Sequence, residues 1–113
     1  MRDDRERLRD ISEAIEQIEK YVAFGYQAFL EDERTQVWII YHLQVIGEAS
    51  NHLSDELTER NQEIPWADIV GLRNILVHQY FGIDKRQVWE TAELDMPVLK
   101  ARIRDILNEI DDK

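Results

Sequence analysis

Apolar residues recur along this chain every three or four positions with polar residues between them, and nowhere show the one-by-one alternation of a strand. Leu8, Ile11, Ile15, Ile18 and Val22 share a stripe and predict a first helix over about Asp4–Ala23, with Gly25 shortly past its end. Phe24, Tyr26, Phe29 and Leu30 follow in a turn expected to pack on the bundle. Val37, Ile40, Leu43, Ile46, Leu53 and Leu57 predict a longer second helix, from Asp32 or Glu33 to about Leu57. The stretch from Thr58 to Ile64 is polar and loop-like. Gly47 sits inside the second helix at a cost of about 1 kcal/mol relative to Ala, and close approach of a neighbouring helix would explain it. Pro65 and Trp66 start a third helix that fades near Tyr80 to Gly82. Asp84 can N-cap a fourth segment containing Val88 and Trp89. Pro97 calls for a kink or a fresh start, with Asp95 as candidate N-cap. Leu99, Ile103, Ile106, Leu107 and Ile110 form the last stripe, and the tail Asp111–Lys113 is expected to fray. The pattern predicts one all-α domain over residues 1–113, an up-and-down bundle of four to five helices.

The third helix carries an unusual polar set. In Gly71-Leu72-Arg73-Asn74-Ile75-Leu76-Val77-His78-Gln79-Tyr80, an arginine, an amide, an imidazole and a phenol crowd an otherwise apolar segment. Polar groups at buried or half-buried positions need partners, so this crowding has to have a cause. At about 100° per residue, Arg73 and Tyr80 nearly overlay, and Asn74 and His78 share a second stripe roughly 100–140° away. Ile69, Leu72, Ile75 and Leu76 are expected to form the core stripe. Val70 and Val77 fall between the two polar stripes, which suggests that the polar arc faces another protein surface and builds a composite site at a dimer interface. Phosphate chemistry on RNA would use such a set: Arg can clamp a phosphodiester bidentately, and His moves a proton near neutral pH. The competing reading is structural, with His78 favoured by the helix dipole and an Arg–Asn pair tying helices together.

Composition narrows the choices. A chain of 113 residues is long enough for a core without staples, and the absence of cysteine removes disulfides and thiolate metal sites. No apolar run reaches the length of a membrane span, and Met1-Arg2-Asp3-Asp4-Arg5 does not read as a signal peptide, so a cytoplasmic location with no membrane partner is expected. The formal net charge of −10 argues against binding along nucleic acid generally, but leaves room for cleavage at a local basic spot built from Arg73, Lys85 and Arg86 and doubled by a twofold axis. The same acidity would suit a basic protein partner. His42, Glu48 and His52 share the second helix, but His42 points well away from the other two, so no metal is expected there. No nucleotide-binding glycine loop is present, and neither is a nucleophile elbow. The tryptophans read as core or interface anchors rather than a base-stacking platform. Glu48, in Ile46-Gly47-Glu48-Ala49, is either a solvated or salt-bridged glutamate or a carboxylate that orients Arg73 or His78 from the neighbouring helix.

Arg73-x4-His78-x-Tyr80 resembles the signature of the HEPN superfamily, specifically the HepT-like toxins of HepT–MntA toxin–antitoxin systems. The resemblance takes in Ile46-Gly47-Glu48-Ala49, Ile64-Pro65-Trp66, Gly71 to His78, Tyr80-Phe81-Gly82-Ile83-Asp84 and Val88-Trp89, in that order. It implies a HEPN-like helical bundle that dimerises and a metal-independent endoribonuclease without cofactor, acting on an RNA substrate. By the same resemblance Arg73 and His78 are the catalytic pair and Asn74 supports His78. An MntA-like minimal nucleotidyltransferase antitoxin would transfer AMP to Tyr80. HEPN proteins also include non-catalytic members, so a binding module that complexes with a nucleotidyltransferase partner is the alternative.

Overall fold

Helix α1 (Asp4–Val22) starts where the Asp3 side chain accepts a hydrogen bond from the Glu6 N–H at 2.9 Å, and it buries Leu8, Ile11, Ala14, Ile15 and Ile18 on one face. This is a computed structural model, and it describes residues 3–78 and 82–111, among which there is no strand. A short helix α2 (Tyr26–Glu31) follows Gly25, whose φ of +90° glycine reaches without the steric cost other residues bear. Phe29 is fully buried from this segment, whereas Phe24, expected on the bundle, is 73% exposed.

Helix α3 (Glu33–Asn51), capped by Asp32, is the central element, packing most extensively on α1 and on α5 (Trp66–His78). It ends six residues earlier than the apolar pattern suggested. Ser54 explains the stop: its hydroxyl accepts from the Leu57 N–H and caps a separate helix α4 (Asp55–Arg60), in the stretch expected to be loop from Thr58 onward. The backbone N–H and hydroxyl of Ser54 both donate to the Asp4 carboxylate, at 2.9 and 2.6 Å, which pins this turn to the start of α1.

Cross-links between helices give their directions. Trp38 Nε1 donates to the Gln17 carbonyl at 3.0 Å while Ser54 meets Asp4, so α3 runs antiparallel to α1. Lys100 Nζ lies 2.7 Å from Glu19 and Arg5 3.2 Å from Asp111, so the last helix α7 (Met96–Asp111) also runs antiparallel to α1. The chain is an all-α up-and-down bundle whose buried apolar residues form one cluster.

Helix α6 (Lys85–Glu90) is capped by Asp84 as expected and runs through a π-helical turn, Thr91–Asp95, into α7. Pro97 accounts for that turn. It has no N–H for the Glu93 carbonyl and its ring would crowd that carbonyl, so the helix widens ahead of it, with the Met96 N–H reaching back to the Thr91 carbonyl. Asp95 therefore lies within a continuous helical run and does not cap a new one.

Candidate active site

The site is built on the contact between α3 and α5. A Cβ at Gly47 would overlap the Cβ and Cγ of Arg73 and sit 3.3 Å from the Ile69 carbonyl oxygen. Only glycine lets the two helices approach this closely, which explains an otherwise unfavourable residue inside α3. The close approach fixes the root of Arg73, and the next residue of α3 fixes its head: Glu48 Oε2 lies 2.9 Å from Arg73 Nη2. The other guanidinium nitrogen, Nη1, donates to Asn74 Oδ1 at 3.0 Å. Glu48 is thus a half-exposed, salt-bridged glutamate directed at Arg73 rather than His78, which fits both of its expected roles.

Glu48 has a second partner, His52, one turn along α3, with Nε2 2.9 Å from Oε1. The hydrogen bond from His52 holds the Glu48 carboxyl below the usual carboxylate range, helped by the charges of Arg73, His52 and Arg7 and opposed by partial burial. The carboxylate therefore stays ionised through neutral pH and keeps Arg73 tethered. His42 is turned elsewhere, its Nδ1 2.8 Å from the Trp38 carbonyl oxygen and its ring against Trp38.

His78 stands apart from this cluster. It is the last residue of α5, exposed, and five positions from Arg73, which places it roughly 140° around the helix. Among the described residues Asn74 bonds Arg73 and not His78. Tyr80 lies outside the described residues. Arg86 is held away from the cluster, 3.0 Å from Glu90 Oε1 and over the Tyr26 ring at 4.9 Å.

The surface that carries His78 includes exposed apolar side chains. Of the buried residues of the bundle, α5 contributes only Leu76, while Ile69 and Leu72 are partly buried against the core. Ile75, expected in the core stripe, is 45% exposed, and Val77 is 42% exposed. The reason is rotational: α5 meets α3 at Arg73 and Ile69 and turns Leu76 into the core, and Ile75 lies roughly 100° beyond Leu76. The exposed arc of α5 is bounded by Val77 on one side and Ile75 on the other, with Asn74 and His78 between them. His52 and Arg7 were not singled out from the sequence as groups acting on Glu48. The i,i+4 spacing of Glu48 and His52 on α3 was a usable signal, whereas nothing in the charged start of α1 marks Arg7.

The family profile described as "Ribonuclease HepT-like" matches residues 11–106 of the chain. A protein of Thermococcus cleftensis named "Probable ribonuclease HepT" is 39% identical over 100 residues, covering 88% of this chain and 91% of its own. Two relatives from Methanocaldococcus jannaschii carry provisional RNase names: one is 34% identical, covering 85% of this chain and 89% of its own, and the other is 33% identical, covering 94% and 88%. No solved structure matches the chain significantly.

Proposed function

The chain belongs to the ribonuclease HepT-like family of the HEPN superfamily, and from that premise we propose that it is a metal-independent endoribonuclease, the toxin of a toxin–antitoxin pair. The observation that carries this reading is the preorganised Arg73, gripped by Glu48 and Asn74 across a glycine-tight helix contact, on the same helix that presents an exposed His78. An RNA 2′-hydroxyl attacks the adjacent phosphorus. The 2′-oxygen–phosphorus bond forms, the bond to the 5′-oxygen breaks, and the products are a 2′,3′-cyclic phosphate and a 5′-hydroxyl. His78 takes the proton of the attacking hydroxyl, and Arg73 stabilises the charge growing on the phosphoryl oxygens. The Arg73–Glu48 pair leaves guanidinium edges able to engage a more highly charged phosphorane.

The exposed apolar arc around His78 suits pairing of α5 with the α5 of a second copy. A homodimer would bring two His78 side chains to one cleft, so that one chain supplies the base and the other the acid for the leaving 5′-oxygen. An MntA-like nucleotidyltransferase is the proposed antitoxin. It would transfer AMP from ATP to the Tyr80 hydroxyl with release of pyrophosphate, adding an anion of the kind that competes with RNA for arginine side chains. Co-expression tests this control. The Tyr80→Phe protein should remain toxic beside an antitoxin that neutralises wild type and raises its intact mass by one adenylate per modified site. Equal neutralisation of both would remove Tyr80 from the account. The net charge of −10 favours one other reading, a non-catalytic module that binds the nucleotidyltransferase; under it, His78→Ala leaves function intact.

A further inference from the structure

Beside the Arg73–Glu48 pair, α1, α3 and α5 enclose a recess of about 290 Å³ whose lining includes Arg7, Tyr41, Gln44, Glu48, Arg73 and Val77. That volume lies at the lower edge of pockets that take small ligands. Two guanidinium groups, of Arg7 and Arg73, line the recess beside two carboxylates, of Asp10 and Glu48. Arg73 has its carboxylate. Arg7 is near enough to help keep Glu48 ionised, yet its Nε is buried and has no hydrogen-bond partner among the described residues. Glu48 is already shared between Arg73 and His52, and Asp10, which also lines the recess, does not accept from that nitrogen. A buried cationic donor left without an acceptor is costly, and turning the Arg7 guanidinium toward an arriving anion would relieve that cost.

The rest of the lining suits a nucleotide. Tyr41 is 58% exposed, and its ring is braced edge-on by His42 with centroids 5.0 Å apart. Gln44, one turn along α3, adds an amide that can both donate and accept. Val77 forms part of the wall and immediately precedes His78, so the recess adjoins the proposed reaction centre. Tyr41 and Glu48 are seven residues apart on α3, a rise of roughly 10 Å, which leaves room beyond the scissile phosphate.

We infer that this recess is a subsite for a flanking nucleotide of single-stranded RNA, with Arg7 on a neighbouring backbone phosphate and Tyr41 stacked on an unpaired base. The inference rests on the ribonuclease reading, and its test separates binding from cleavage. The probe is a short fluorescein-labelled 2′-O-methyl oligoribonucleotide, which lacks the attacking hydroxyl, followed by fluorescence polarisation across a salt series. Arg7→Gln should weaken binding about tenfold or more and reduce the slope of log affinity against log salt by about 0.7. Tyr41→Ala should weaken it by roughly five- to a hundredfold without changing that slope, and Tyr41→Phe should restore it. With cleavable RNA, both weakened variants should raise KM and leave kcat near wild type. Because Tyr41 is exposed, its variants report even where Arg7→Gln melts early. If the variants bind the probe like wild type, with the same salt slope, the subsite is wrong whether or not RNA is cleaved. If binding responds as stated but wild type cleaves nothing, the subsite stands and the ribonuclease reading falls. A wild-type protein that does not bind the probe overturns the inference as well.

Discussion

Gly47 and Glu48 are neighbours that act on Arg73 from opposite ends, one by leaving space and one by filling it with charge. Gly47→Ala would gain about 1 kcal/mol of helix propensity and lose roughly 1–3 kcal/mol to overpacking against Arg73. The neighbour it displaces is the β-carbon of Arg73 and not a flexible tip. The expected outcome is no gain in melting temperature and a loss of RNA cleavage exceeding tenfold, read by thermal denaturation and by cleavage rate. A stabilised and fully active Gly47→Ala protein would show that the helices are not pressed together here. Glu48 makes a pH-dependent contribution. Its carboxyl titrates lower in the folded chain than the ordinary value of 4.5, so the stability it adds is complete above that value and is lost as pH falls through the lowered one. The difference in melting temperature between wild type and Glu48→Gln should therefore shrink as pH falls below about 5. Since the Glu48 and Arg73 side chains are 48% and 31% exposed, the difference should be small. A difference that grows as pH falls below about 5 would contradict the ion pair.

At the scale of helices, what could be read from the chain was what repeats within one element. The stripe of α1 and the cap at Asp84 depend on residues within a turn or two of each other, and Gly47 signalled a close helix approach without naming its partner, Arg73. Contacts made by distant residues were not legible. The break after Asn51 depends on Ser54 meeting Asp4 from the other end of the fold, so the apolar pattern carried the helix through it. The place of Ile75 depends on how α5 is rotated against α3, which a stripe with apolar residues on most sides does not specify. The site divides in the same way. Arg73, Asn74 and His78 stand out as a local cluster, while the parts played by His52 and Arg7 appear only once the helices are assembled. The rotation of α5 has a direct test. Leu76 is buried, so Leu76→Ala should cost about 2–5 kcal/mol by chemical denaturation. Ile75→Asp should leave the fold intact and act on association instead. If Ile75→Asp unfolds the chain, α5 is turned the other way.

For the molecule as a whole, the exposed arc of α5 and the separation of Arg73 from His78 point the same way. One chain holds an anchored arginine and, on another side of the same helix, an exposed imidazole among apolar neighbours. Pairing α5 with its copy would bury that arc and assemble both groups around one phosphate. Light scattering at micromolar concentration should give a dimer mass for wild type and a monomer mass for Ile75→Asp, with cleavage lost in the monomer. A wild-type monomer that cleaves RNA would refute the composite site. Among the described residues no helix is long and apolar enough to cross a membrane. The most direct measurement is RNA cleavage in EDTA by purified protein shown by intact mass to lack adenylation, beside His78→Ala, with the product ends identified. Cleavage by wild type alone, leaving cyclic phosphate and 5′-hydroxyl ends, is the predicted result. No cleavage by the unmodified protein, or equal cleavage by His78→Ala, would contradict it.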